Sequence, residues 1–165
     1  MKWFTSDLHL GHEAIIEYCN RPFKNAHKMD TSLIKNINEL VSVNDELFIL
    51  GDLSIRSRNH KGYYEQVLDK LQCKKIVLIL GNHDIKDPWF YCDIGIHSVH
   101  VPYLKVEEFY CIHDPALSQV SRESKFLCGH IHDLFIMDKN CLNVGVDVHN
   151  FAPISINQVR EFFKD

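Results

Sequence analysis

Five short apolar runs in this chain each end in polar side chains that can bind a metal ion. In α/β proteins, ligand sites form beyond the carboxyl ends of the strands, so such ends can converge on one site. This feature constrains the fold strongly, because it requires distant segments to lie side by side. The runs and the side chains that follow them are residues 2–6 with Asp7 and His9, 46–50 with Asp52, 76–80 with Asn82, His83 and Asp84, 109–112 with His113, and 125–128 with His130 and His132.

Segments with helical spacing alternate with these runs in the first half of the chain. Apolar residues recur at intervals of three and four over residues 33–41 and 64–71, which is typical of amphipathic helices. This alternation predicts an α/β fold in which helices cover a parallel or mixed sheet. The second half is richer in strand-like runs, of which residues 142–148 are the longest, and residues 156–163 are expected to form a closing helix. We expect residues 1–165 to form one domain.

The spacing within the motifs predicts how the side chains group. In an extended segment, residues i and i+2 point to the same side, so Asp7 with His9, and His130 with His132, are expected to act as ligand pairs. A residue without Cβ permits a tight turn or a close approach of two segments. Glycine precedes ligand candidates at Gly51, Gly81 and Gly129.

The mixture of donors favours particular ions. Carboxylate, amide and imidazole ligands together suit Mn, Fe, Co or Zn better than Ca. Seven candidate ligands are too many for one tetrahedral ion, whereas two ions about 3.5–4 Å apart that share a carboxylate would use them all. We therefore expect two divalent metal ions as cofactors, with Mn preferred and Fe, Co, Ni or Zn as alternatives.

These motifs, in this order, resemble those of the calcineurin-like metallophosphoesterases. The match covers Asp7-x-His9, Gly51-Asp52, Gly81-Asn82-His83-Asp84, His113 and Gly129-His130-x-His132. The resemblance implies an α/β fold of four layers, in which two mixed β-sheets pack as a sandwich with helices on the outer faces. Three further segments look like those of small bacterial, archaeal or phage-type members: residues 6–12, Arg21-Pro22-Phe23 and residues 143–147.

The resemblance also implies a role for each matched residue. His83 would approach the phosphate and protonate the leaving oxygen, and Asp84 would orient His83 by a hydrogen bond. A hydroxide shared by the two metals would attack phosphorus in line. One ion would be held by Asp7, His9, Asp52 and His132, and the other by Asp52, Asn82, His113 and His130, with Asp52 bridging.

Substrate contacts are expected from Asn82 and His83. Arg21 is a further candidate, because a guanidinium group can bind phosphate in a bidentate manner. The alternative for Arg21, as for Arg56 and Arg58, is a solvated surface charge. Six other histidines are expected to be structural or exposed: His12, His27, His60, His97, His100 and His149. Of these, His12 and His149 lie nearest the motifs.

The charge balance and the second motif narrow the substrate class. The chain carries 18 Lys and Arg against 22 Asp and Glu, a net charge of −4. A protein that holds long nucleic acid normally shows a basic face, so we favour a small phosphodiester or phosphomonoester, nucleotide-type esters included. Relatives that dephosphorylate proteins carry a second acid and Arg-Gly after the second motif, and this chain has Leu53-Ser54-Ile55 there. A nuclease and a non-catalytic scaffold remain alternatives.

Cellular location is inferred from segments that do not occur in the sequence. The longest aliphatic run, residues 76–80, is far shorter than the ~20 residues that cross a bilayer, and the start does not resemble a secretory signal. The six cysteines form no Cys-x-x-Cys pair and are expected to be free thiols in a reducing compartment. We therefore expect a cytoplasmic protein without a membrane partner. A homodimer is compatible with its small size and open site.

Overall fold

The computed structural model describes residues 1–54, 60–85 and 87–164. Arg56 and Arg58, two candidates for phosphate contact, lie outside the described residues. The helices are α1 (Glu13–Tyr18), α2 (Ala26–Leu40), α3 (Lys61–Leu68), α4 (Pro88–Asp93) and α5 (Ile156–Phe162), with 3₁₀ helices at Pro115–Val120 and Val146–Val148. The strands are β1 (Lys2–Thr5), β2 (Glu46–Ile49), β3 (Lys75–Ile79), β4 (Ser98–His100), β5 (Tyr103–Val106), β6 (Phe109–Ile112), β7 (Lys125–Cys128), β8 (Met137–Asp138), β9 (Cys141–Asn143) and β10 (Ile154–Ser155).

The strands form two mixed sheets, which confirms the predicted α/β sandwich. The first sheet has the order β10-β1-β2-β3-β4, in which β1 to β4 are parallel and β10 runs antiparallel to β1. The second has the order β5-β6-β7-β9-β8, with a parallel centre of β6, β7 and β9 and an antiparallel strand at each edge. The carboxyl ends of each parallel set therefore lie along one edge of their sheet.

The first sheet is buried on both faces. In β2, Leu47 and Ile49 join the outer core against α2, α3 and α4, while Phe48 packs in the core between the sheets. A strand that is covered on both sides reads as a continuous apolar run, which is why this sheet could be recognised from the sequence. The second sheet contributes Phe109 and Leu127 to the core between the sheets.

The outer face of the second sheet is covered more lightly. Its buried cluster consists of Ile112, Phe126, Cys128 and Cys141, and the 3₁₀ helix Pro115–Val120 packs over β6 and β7. The predicted strand over residues 142–148 is wrong beyond Asn143, since the chain turns into the 3₁₀ helix Val146–Val148. None of the helices in the described parts of the chain has the length and apolar character that a membrane crossing needs.

We expect Phe109→Ala to destabilise the protein by about 3–5 kcal/mol, because the ring is fully buried between the sheets and its loss leaves a cavity. Urea unfolding followed by circular dichroism measures the change. Phe162→Ala is the matched control: this ring is 42% exposed, and its removal should cost less than about 1 kcal/mol. Equal losses for the two variants would contradict the assigned core.

Candidate metal centre

The predicted ligands lie in the loops that follow the carboxyl ends of β1, β2, β3, β6 and β7. The backbone joins these loops directly: Asp7 N donates to Gly51 O at 3.1 Å and His9 N to Asp52 O at 2.9 Å. Gly129 N donates to His113 O at 3.0 Å, which links the loops after β6 and β7. The fold therefore brings segments that are far apart in sequence to one edge of the sandwich.

Several ligand residues adopt a left-handed backbone conformation, which non-glycine residues rarely adopt. The prediction that Asp7 with His9, and His130 with His132, lie in extended segments is therefore wrong. Such conformations cost on the order of 1–3 kcal/mol each and persist only where the surrounding structure enforces them. The φ values are 59° for Asp7, 50° for His9, 52° for Asp52, 75° for His130 and 49° for His132.

Glycine is required where two of these loops meet. A Cβ on Gly129 would lie 1.8 Å from Ser6 Oγ and 2.6 Å from Asp7 Oδ2. A Cβ on Gly81 would lie 2.1 Å from Asp52 Oδ1. No side chain fits at either distance, so these glycines let the loops approach one another closely.

The side chains form two neighbouring groups of potential metal ligands. Asp7, His9 and His132 make the first group and Asp52, His113 and His130 the second; within each group the ligand atoms lie within 4.8 Å of one another. Asn82 joins the second group, since its Oδ1 lies 2.8 Å from His113 Nε2 and 2.9 Å from His130 Nδ1. The structure thus brings together all seven predicted ligands.

Asp52 lies between the two groups. Its Oδ2 is 3.6 Å from His9 Nε2 in the first group and 3.4 Å from His113 Nε2 in the second. A single carboxylate oxygen therefore faces an imidazole of each group. This is the arrangement that a carboxylate shared by two ions requires.

The residues present fit divalent metal ions. His9 Nε2 is fully buried and has no hydrogen-bond partner among the residues that the structure describes, although buried polar groups are almost always paired. Burial lowers the pKa of His9 to about 3, so the imidazole is neutral and carries the lone pair that a metal needs. The mixture of imidazole, carboxylate and amide oxygen suits a first-row transition ion.

The two carboxylates of the centre differ in their electrostatics. Burial raises the pKa of Asp7, against the opposing effects of His113 and His132. Burial also acts to raise the pKa of Asp52, but the hydrogen bond and charge of His113 lower it to about 2. Burial likewise acts to lower the pKa of His113, but Asp52 raises it to about 9. Each of these two side chains therefore favours the charged form of the other, across 3.4 Å between Asp52 Oδ2 and His113 Nε2.

His83 lies at the exposed rim of the centre. Its backbone N–H donates to Asp52 Oδ1 at 2.9 Å, and its ring centroid is 5.3 Å from that of His9. The side chain is exposed, so it can meet a ligand that approaches from solvent. Among the described histidines outside the motif set, His12 also borders this region, with its Nδ1 3.3 Å from His9 Nδ1. His149 has a structural role, since its Nε2 lies 2.7 Å from Asn143 O.

Asp84 does not orient His83, so this expected role is wrong. Its carboxylate is fully buried and turned away from the rim, and burial raises its pKa to about 6. It ties the loops after β2 and β3 together, which makes it a support of the Asp52 loop. The groups that donate to it are Asp52 N and Gly81 N at 2.8 Å, Tyr91 Oη at 3.1 Å and Ser54 N at 3.3 Å.

Arg21 is buried beneath the centre, and this placement does not support a contact with substrate. Its Nε and Nη2 donate to the two carboxylate oxygens of Asp147, each at 2.8 Å. Asp147 Oδ2 in turn lies 2.8 Å from His132 Nδ1. The sequence alone does not indicate a role for Asp147, although Arg21 and Asp147 both lie in segments that resemble those of small family members.

A third group of potential ligands overlaps the first. Cys19, His132 and Asp147 offer atoms within 4.8 Å of one another. Burial, together with the charge of Asp147, raises the pKa of the Cys19 thiol to about 11, which favours the protonated thiol. Arg21 already occupies both oxygens of Asp147. This group is therefore a poor site for a cation.

Comparisons with known proteins agree with this geometry. The family described as Calcineurin-like phosphoesterase matches residues 3–165. The chain is 33% identical to the uncharacterized protein MJ1445 of Methanocaldococcus jannaschii, over 95% of this chain and 88% of that protein. It is 36% identical to the gene 66 protein of Mycobacterium phage D29, over 99% of this chain and 96% of that protein.

Solved structures support the fold. A protein of unknown function from Aquifex aeolicus, AQ665, matches with a TM-score of 0.76 and 22% identity over 98% of both chains. The nuclease MPE of Pseudomonas putida matches with a TM-score of 0.54 and 23% identity, over 79% of this chain and 61% of the nuclease. The two mixed sheets, the converging motif residues and the match along nearly the whole sequence lead to one conclusion: this chain belongs to the calcineurin-like phosphoesterase family.

Proposed function

We propose that this protein hydrolyses small phosphate esters, with phosphodiesters preferred to phosphomonoesters, at a centre of two divalent metal ions. Mn is the favoured metal, and Fe, Co, Ni and Zn are alternatives. The observation that carries the proposal is the position of Asp52 Oδ2, 3.6 Å from His9 Nε2 and 3.4 Å from His113 Nε2. One carboxylate oxygen between two sets of ligands is suited to a pair of ions.

Each group of ligands would hold one ion. When bound, the ions lower the pKa of a water molecule and stabilise charge on the phosphoryl oxygens. Asp7 and Asp52 return only about two of the four positive charges, so the pocket would attract a phosphate even though the chain is acidic. The proposed ligands are Asp7, His9, His132 and Asp52 for one ion and Asp52, Asn82, His113 and His130 for the other.

His83 is proposed to donate the proton that the leaving oxygen takes up. It is exposed at the rim, and its backbone N–H is bonded to Asp52 Oδ1, so its position relative to the ligands is held by the chain itself. Asn82 and His83 together are proposed to contact the substrate phosphate. Since Asp84 faces inward, it supports this loop and takes no part in proton transfer.

Two other functions compete with this one. The nuclease from Pseudomonas putida shares the fold, but below 25% identity that likeness says nothing about substrate, and the net charge of −4 disfavours a long nucleic acid. A non-catalytic scaffold would not need a complete ligand set around a buried, unpaired imidazole nitrogen. We propose a cytoplasmic protein with a small phosphate-ester substrate, and a homodimer remains an expectation.

We expect Mn²⁺ to restore hydrolysis of bis-p-nitrophenyl phosphate by chelator-treated protein. Asp52→Asn should lower kcat/KM by more than about 100-fold, because even residues behind metal ligands commonly contribute 10–100-fold. Asp69→Asn, at an exposed carboxylate away from the centre, is the matched control and should retain activity. No turnover with Mn, Co, Ni or Zn, or an Asp52→Asn variant as active as the wild type, would refute the proposed function.

Loss of the His83 imidazole should matter most for poor leaving groups. With an alkyl leaving group, we expect His83→Gln to lower kcat by about 10²–10⁴-fold, the usual contribution of a general acid. With p-nitrophenol, which leaves without full protonation, the loss should be much smaller. Rates for a series of esters graded by the pKa of the leaving alcohol measure this difference. A uniform loss across the series would contradict the assigned proton donor.

A labelled single-stranded oligonucleotide separates the nuclease alternative from the small-ester function. We expect the oligonucleotide to be cleaved more weakly than bis-p-nitrophenyl phosphate. We also expect no steep loss of oligonucleotide binding between 50 and 200 mM salt, since the acidic chain offers few Lys and Arg side chains to neutralise the phosphates. Tight, salt-sensitive binding with efficient cleavage would favour the nuclease.

A further inference from the structure

Two segments that resemble those of small family members, Arg21-Pro22-Phe23 and residues 143–147, have no part in the proposed reaction. In the structure the two segments meet. Arg21 pairs with Asp147 across them. Beside this contact the rings of Phe23 and Phe151 pack edge to face with centroids 4.9 Å apart, and Arg21 N donates to Ile16 O at 2.9 Å. This packing fixes the backbone of Arg21, whose side chain has no exposed surface.

The Arg21 guanidinium reaches the backbone of the first motif. Its Nη2 donates to Asp7 O at 2.8 Å, and its Nη1 donates to Leu8 O at 3.3 Å. Asp7 and His9 flank these carbonyl groups and both have positive φ values, a conformation that needs external support. Arg21 therefore holds the segment from which two ligands of the first group project.

The same guanidinium holds Asp147 from the other side. The bidentate pair leaves Asp147 in one orientation, with Oδ2 2.8 Å from His132 Nδ1. An ionised carboxylate only accepts hydrogen bonds, so the proton must lie on His132 Nδ1. His132 Nε2 is then the nitrogen with a free lone pair, and the ring cannot turn without breaking this bond.

Two other proposed ligands, His9 and His113, meet neutral groups at the ring nitrogen that does not face Asp52. His113 Nδ1 donates to Leu50 O at 2.7 Å, and His9 Nδ1 lies 3.3 Å from His12 Nδ1. A carboxylate behind a ligand imidazole fixes its tautomer and increases its basicity more than a carbonyl group does. Asp147 thus distinguishes the group of Asp7, His9 and His132 from the group of Asp52, His113 and His130.

We infer that Arg21 and Asp147 are positioning residues of the metal centre, an inference that rests on the proposed function. Asp147 sets His132 as an Nε2 ligand, and Arg21 locks Asp147 and the Asp7–Leu8 backbone into the geometry that binds metal. The pair thereby sets the affinity of one of the two metal sites. Neither residue contacts substrate.

The test measures metal affinity directly, by calorimetric titration of Mn²⁺ into the chelator-treated full chain. Asp147→Asn keeps the shape but removes the charge, and Arg21→Lys keeps the charge but cannot span Asp147 and two carbonyl groups. We expect each variant to weaken one of two binding events by about 10–100-fold and the other by less than about threefold.

Asp30→Asn is the matched control. Asp30 is a buried carboxylate that accepts from Gly11 N at 2.8 Å and so holds the same loop, but it touches none of the proposed ligand imidazoles. We expect its metal affinities to stay within about threefold of the wild type. Thermal unfolding of the metal-free proteins measures the loss of stability in each variant. If either Asp147→Asn or Arg21→Lys does not fold, the metal affinities of the other variant provide the test.

The possible outcomes separate the two ideas. Wild-type protein that binds no divalent ion would refute the proposed function. Wild-type protein that binds two ions while Asp147→Asn and Arg21→Lys bind equally well would overturn the positioning role alone. Lower unfolding temperatures with unchanged affinities, or an equal loss of affinity in Asp30→Asn, would also overturn it, because the effect would then be one on folding.

Discussion

The site depends on the placement of one carboxylate, that of Asp52. Its Oδ1 accepts the backbone N–H of His83, and its Oδ2 faces an imidazole from each ligand group. Its own backbone N–H donates to Asp84, which is buried and ties the neighbouring loop to it. The carboxylate can hold these contacts only because its residue adopts a positive φ and because Gly81 leaves room beside it.

The strained backbone at the edge that carries the site is held in place by buried polar groups beneath it. The ligand residues with positive φ come from loops that would relax if they were isolated, since each such conformation costs on the order of 1–3 kcal/mol. Tyr91, through Asp84, supports the loops after β2 and β3, and Arg21 supports the loop after β1. Buried polar contacts in the adjoining loops and helices therefore offset the conformational free energy of these strained residues.

The sequence is enough to predict the sheets and the residues that converge at one edge, but not the local geometry of these residues. Strands buried on both faces, such as β2 and β3, are continuous apolar runs, and the motifs that follow them share one edge by topology. The strand predicted for residues 142–148 ends at Asn143, because the Asn143 side chain accepts from Gly145 N at 2.8 Å and the chain turns there. The backbone conformation of Asp7 cannot be predicted from the sequence either, because it depends on a hydrogen bond from the Arg21 guanidinium to Asp7 O.

The same limit applies to Asp84 and Asp147, whose roles the sequence indicates less clearly than those of the proposed ligands. A metal ligand is recognisable by its residue type and its place after a strand, whereas a supporting residue is defined only by what it touches. Asp84 lies next to His83 in sequence, yet its partners include Tyr91 and the backbone of Ser54. Asp147 lies 126 residues from Arg21, and only the packed fold makes one the partner of the other. A contact of this kind follows from tertiary packing, so its function has to be inferred from geometry.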